Sequence, residues 1–166
     1  TIAGDGKPIE GIIQAKPALQ TSLGSVNSLF VSGDEVWLHS YYRLWRLQGG
    51  TLTPEAGSTP WPLSDDYKDG NAADALIGLR DTKGLVKVGA RLVFSDFNYH
   101  SLREHTGGVV STLNGDTGAM PPKAGFRDGP LQQAQFNKPR GMAVDAQGRI
   151  YVADMLNCRI RRINLD

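Results

Sequence analysis

The chain repeats itself, and what repeats is a run of short β-strands. The most regular copy lies near the end. Gly141-Met142-Ala143-Val144-Asp145 is a short apolar strand, Ala146-Gln147-Gly148 a turn, Arg149-Ile150-Tyr151-Val152-Ala153-Asp154 an alternating strand, and residues 157–163 a third. Alternation at period two, rich in β-branched and aromatic residues and bounded by Gly, Asn and Asp, marks strands with one face buried. The same order occurs earlier, as residues 84–88, 90–96 and 100–104. It occurs first as residues 28–31, 35–40 and 43–47, with Ser32-Gly33-Asp34 as the turn. A Thr-led marker recurs as Thr1-Ile2-Ala3-Gly4-Asp5, Thr51-Leu52-Thr53-Pro54-Glu55 and Thr112-Leu113-Asn114-Gly115-Asp116, and is expected to supply a fourth strand. Units 1–50, 51–111 and 112–166 then tile the chain. Four strands per unit at this period predict β-propeller blades, in an all-β fold.

Composition excludes several classes. With 166 residues, 40% of them hydrophobic, one domain with a real core is within reach. Net charge is +1, so nothing pulls the chain towards nucleic acid or an anionic membrane. The 20 glycines and 9 prolines suit many tight turns. One cysteine, Cys158, rules out an internal disulfide and a cysteine-cluster metal site. No apolar run approaches the ~18 residues that would suggest a membrane span. Thr1 stands first without a methionine, which suggests a processed or trimmed chain from which a signal could have been removed; the compartment is not fixed, with an extracytoplasmic or periplasmic one slightly favoured.

The last unit resembles the NHL repeat, a β-propeller blade family. The matching residues are Phe126, Asp128-Gly129, Ala134, Phe136, Pro139, Gly141, Val144-Asp145, Gly148, Tyr151-Val152-Ala153-Asp154, Asn157 and Arg159-Ile160-Arg161. Cys158 departs from the histidine the family often has after the asparagine. The resemblance implies a propeller, typically of six blades, and no single activity.

Three blades do not close a ring, and the edge strands and faces left at each end invite pairing. The expectation is a half-propeller of three four-stranded blades completed to six by a two-fold dimer. Thr1, Ile2, Ala3 and Gly4 of each copy would complete the partner's last blade, against Arg159, Ile160, Arg161 and Ile163. The alternative is a piece of a longer six-bladed chain.

Propeller topology puts the loops between second and third strands on one face, together with the entries to the first strands. A binding surface is expected there, made of Tyr41, Tyr42, Arg43, Arg80, Phe97, Asn98, Tyr99, His100 and Arg140. Asn27, Lys83 and Lys138 enter towards the ring axis on the same face. Aromatic and basic side chains of this kind grip a protein, peptide or glycan. Asp96 and Asp154, with Ser40 in the matching place, are expected to hold turn N–H groups or to pair with Arg159. No G-x-S-x-G, HExxH or EF-hand spacing is present. The expected function is a non-catalytic binding module acting as a homodimer, without cofactor or metal and with neither nucleic acid nor membrane as partner. The competing expectation is a metal-dependent hydrolase or lyase acting at the channel.

Overall fold

The computed structural model describes residues 1–7, 14–58, 67–78, 82–115 and 120–165. The strands are β1 (Lys16–Pro17), β2 (Val26–Ser32), β3 (Glu35–Ser40), β4 (Arg43–Gln48), β5 (Thr51–Ala56), β6 (Gly70–Asn71), β7 (Thr82–Val88), β8 (Arg91–Asp96), β9 (Ser101–Thr106), β10 (Val109–Thr112), β11 (Pro139–Val144), β12 (Ile150–Asp154) and β13 (Arg159–Ile163). They form three antiparallel sheets in the orders β1-β5-β4-β3-β2, β6-β10-β9-β8-β7 and β11-β12-β13. The three-strand core of every sheet falls where the periodicity predicts it.

The sheets stack face against face. Trp37, Leu44 and Ala56 of the first sheet pack on Leu85, Leu92 and Phe94 of the second. Val86, Val93 and Leu102, on the second sheet's other face, pack on Phe136, Ile150, Val152 and Ile163 of the third. Burial follows this order. In β8 every residue after Arg91 is buried, because both faces are covered. In β12 burial alternates, with Ile150, Val152 and Asp154 inside. The inner strands β2, β7 and β11 adjoin one another between sheets. Gly84 lets β7 and β11 approach so closely, since a Cβ there would overlap the Arg140 carbonyl and Met142.

One buried clasp is built twice. Arg103, fully buried, donates to the carbonyls of Leu76 and Lys68 (both 2.7 Å), to Asp69 (2.8 Å) and to Asp96 (3.3 Å). Arg161 does the same with the carbonyls of Gln135 and Arg127, with Asp128 (all 2.8 Å) and with Asp154 (2.9 Å). The carboxylate that ends the second strand therefore pairs with Arg161, not with Arg159 as the sequence suggested. Arg159 lies outside, over the Phe126 ring at 4.1 Å. In the first sheet Ser40 stands for the aspartate and Trp45 for the arginine. Ser40 Oγ donates to the Leu23 carbonyl instead, and Trp45 fills the space.

The Thr-led marker needs a shift of register. Residues that occupy one structural place are Gly4, Gly57 and Gly115, at φ of 90°, 105° and 94°. Each backbone N–H donates to the entry segment of the next sheet, at Ala18, Ala72 and Ala134. Pro54, three residues after Thr51, is thus the equivalent of Thr1 and Thr112. Residues 1–4 are not a strand. Ala3 packs against the core of the chain's own first sheet, and Gly4 is bonded to Ala18. Among the described residues the third sheet has no fourth strand, and the side chains of Arg161 and Ile163 point inward, 8% and 7% exposed.

Arg103→Met strips Asp96 and Asp69 of their counter-charge, and is expected to cost about 3–5 kcal/mol in urea unfolding. The double change Asp96→Ser with Arg103→Trp, which copies the first sheet, is expected to cost less than the single change.

Candidate functional site

Each inner strand has a bulge at its start. Register skips between Val26 and Ser28, between Thr82 and Leu85, and between Pro139 and Met142. Bulges turn side chains out of the ladder. Those released are Asn27, Lys83 and Arg140, at matching places on the loop face. Two of the three are cations.

The loop face is richest where the second and third sheets meet. The Lys138 backbone N–H donates to His100 Nδ1 at 3.2 Å, and its Nζ donates to Asn98 Oδ1 at 2.8 Å. That Nζ sits 4.7 Å from the centre of the Phe97 ring, and the Arg140 guanidinium lies 6.0 Å from the same ring. Arg140 Nη1 also reaches Met155 Sδ at 3.7 Å. His100 and Lys138 both take left-handed backbone, φ 54° and 57°, which brings the loop and the entry segment together. Burial, and then the charge of Lys138, lower the His100 pKa, in keeping with Nδ1 as the acceptor of the Lys138 N–H. Among the described residues no carboxylate pairs with Lys138 or Arg140.

Phe97, Asn98, His100 and Arg140 of the expected surface therefore converge. The others do not join them. Tyr42 is 2% exposed, its ring edge-on to Tyr41 at 4.9 Å, so it offers no surface. Tyr41 lines a separate cleft of about 930 Å³ beside Gly4, Asp5, Ser25 and Val26. Arg43 turns to the Gly57 carbonyl at the outer rim. Tyr99 packs on Tyr67 at 5.0 Å. Arg80 lies outside the described residues. Lys138 is the member that loop spacing alone does not single out, because its role depends on how two sheets abut.

Asp96 and Asp154 are consumed by the arginine clasps. Among the described residues no three His, Cys, Asp or Glu side chains gather as metal ligands would.

The family model of the NHL repeat matches residues 136–163. The third sheet is an NHL blade. "NHL repeat-containing protein 2" of Gallus gallus is 37% identical over 82 residues, which are 48% of this chain and 10% of that protein. A solved auxiliary nutrient binding protein of Bacteroides thetaiotaomicron VPI-5482 has the same fold (TM-score 0.63, 24% identity, 82% of this chain and 36% of that one). A second, from Bacteroides ovatus ATCC 8483, superposes with a TM-score of 0.66 at 23% identity, over 89% of this chain and 39% of that one. The NHL β-propeller architecture is thus shared with proteins of which this chain spans well under half.

One histidine lies behind the face. His39, at the end of β3, is fully buried, with Asn27 Nδ2 3.5 Å from its Nδ1 and no partner for Nε2 among the described residues. Burial, and then the charge of Lys83, push its pKa down to about 3. Below an unfolded pKa of 6.5 only the unfolded chain takes up this proton, so stability present above pH 6.5 is lost as pH falls towards 3. The loss approaches a slope of about 1.4 kcal/mol per pH unit. His39→Ser, which copies Ser95 of the second sheet, is expected to flatten the decline between pH 6.5 and 5 in urea titrations, relative to the parent.

Proposed function

We propose that the chain is a non-catalytic binding module of an NHL β-propeller, and that its loop face takes an acidic peptide segment of a partner protein. The observation that carries this is the Lys138–Arg140–Phe97 cluster, two cations on one face with no acid among the described residues to neutralise them. Lys83 adds charge towards the axis. The two solved structures of the same fold are auxiliary nutrient binding proteins, which supports a binding role in kind. A glycan is the weaker candidate, because Lys138 already lies over the Phe97 ring face on which a sugar would stack. A metal-dependent hydrolase or lyase at the channel finds no assembled donor set among the described residues.

Ring closure belongs to the same reading. One open face carries Leu29 and Val31, 63% and 58% exposed; the other carries Ile160 at 81%. We propose that these faces are covered by further blades, and that a second copy supplies them by face-to-face contact. The solved structures favour a second source, since 36% of one such chain spans the same arc and the rest of it carries on. Light scattering across a dilution series separates the two. Twice the chain mass supports the two-fold ring; the single mass supports blades from a longer chain.

For the ligand, poly-L-glutamate peptide and polygalacturonate are titrated against the chain at low and high salt. Peptide binding that weakens with salt is expected, and Arg140→Ala or Lys138→Ala is expected to weaken it about tenfold, the scale of one charge-assisted hydrogen bond. Preference for polygalacturonate would point to a glycan, and binding unaffected by either change would overturn the assignment.

A further inference from the structure

We infer that the basic cluster of the loop face takes a phosphoryl dianion, carried as a phosphorylated side chain on the acidic segment proposed above; the inference rests on that reading. The hydrogen bonds made within the cluster decide what is left for a ligand. Two of its acceptors are already taken. His100 Nδ1 accepts the Lys138 backbone N–H at 3.2 Å, and Asn98 Oδ1 accepts from Lys138 Nζ at 2.8 Å. A neutral imidazole that accepts at Nδ1 carries its proton at Nε2, so the other edge of the His100 ring is a donor. The lowered pKa of His100 agrees with a neutral ring. Lys138 Nζ has further N–H groups beyond the one Asn98 takes, and a guanidinium has five donors. The Arg140 contact at Met155 Sδ, 3.7 Å away, is to a weak acceptor. A ligand hydroxyl or amide meets a surface of donors here. A group made only of acceptors suits it.

Charge narrows the class further. Lys138 Nζ and the Arg140 guanidinium share the Phe97 ring, at 4.7 and 6.0 Å from its centre, and among the described residues neither is paired with an acid. A carboxylate brings one negative charge and two oxygens in one plane. A phosphomonoester brings about −1.5 to −2 at pH 7 and three terminal oxygens. The donors also come from two elements, His100 from the loop between β8 and β9, and Lys138 and Arg140 from the segment leading into β11. Approach from two sides suits a tetrahedral group better than a planar one. Arginine supplies a forked pair of N–H bonds to phosphate, and lysine a point charge.

The cluster is also held in place. His100 and Lys138 keep left-handed backbone, φ 54° and 57°, which costs energy in residues other than glycine and recurs where ligands are clamped. Asn98 and the Phe97 ring fix the lysine head. Binding therefore orders little that is not already ordered. Arg140 is exposed and His100 and Lys138 half-buried, so the donors can be reached. Both walls lie inside the arc, between the second and third sheets, where β7 and β11 adjoin.

The probes are three blocked peptides, Ala-Gly-Xaa-Gly-Ala with serine, phosphoserine or glutamate at the centre, and inorganic phosphate. Each is titrated against the chain, with backbone amide and histidine ring nitrogen shifts followed by NMR. The phosphoserine peptide is expected to bind about tenfold tighter than the glutamate peptide, and the serine peptide not measurably. Shifts are expected in residues 97–100 and 138–140 and at His100 Nε2. Inorganic phosphate is expected at the same residues, more weakly than the phosphopeptide. In Arg140→Ala the preference for phosphoserine over glutamate is expected to fall from about tenfold to near unity, because one cation then remains. The peptide series leaves the protein untouched, so it stands whatever that variant does to folding. Equal binding of the phosphoserine and glutamate peptides overturns the dianion and leaves the acidic-peptide reading intact; binding of neither overturns both. Inorganic phosphate bound as tightly as the phosphopeptide keeps the dianion and overturns the peptide as its carrier.

Discussion

A buried arginine has five N–H donors and a charge, and neither tolerates an apolar interior without partners. Arg103 and Arg161 meet this demand in one way. Each binds the carboxylate that ends the second strand, two carbonyls of the segment entering its blade, and the aspartate of an Asp-Gly pair. Each of these bonds ties the entry segment to the arginine in a low-dielectric interior, where a lost bond is costly, so the segment is held against the sheet. That fixes the Asp-Gly turn at one end of the segment and the approach to the inner strand at the other. Lys138 and Arg140 lie on that approach, and Phe97 and His100 on the loop that follows the clasped Asp96. The clasp is thus what places the two halves of the basic cluster opposite each other.

In the first sheet the same place is held by filling rather than by charge, with the Trp45 indole N–H buried and without a partner among the described residues. There Ser40 and Trp45 replace aspartate and arginine together. The serine hydroxyl finds the Leu23 carbonyl, and the indole fills the volume of the guanidinium. Replacing the arginine alone would bury an unpaired carboxylate.

The strands were legible because period-two patterning is local, and β3 falls on residues 35–40 as read. The Thr-led marker misaligned in the middle unit because the position that repeats is a glycine at positive φ, a property of backbone conformation that the lettering of β5, with Pro54 inside it, conceals. The arginine assignment failed for a different reason. Asp154 is opposite Arg159 in the ladder, so strand register alone pairs those two. The entry-segment carbonyls of Arg127 and Gln135 lie over Arg161 instead, and they decide which arginine is desolvated. The loop face was half legible. Loop order placed Phe97, Asn98, His100 and Arg140 on one surface, but the burial of Tyr42 and the central place of Lys138 arise from contacts between sheets, which no single strand's pattern encodes.

Repetition also gives each sheet a defined pair of faces. The second sheet's Val93 and Leu102 occupy the places of Tyr151 and Ile160 in the third, yet the first pair is sealed and the second is not. Side chains that are core in one copy become surface in the next solely because of what stands beside them. An exposed isoleucine and an exposed Asp128 beside a buried arginine occur at one end of the same arc. Scattered apolar exposure would need no explanation. Here the exposed side chains have covered counterparts one blade earlier: Leu102, fully buried, for Ile160, and Asp69, a quarter exposed, for Asp128.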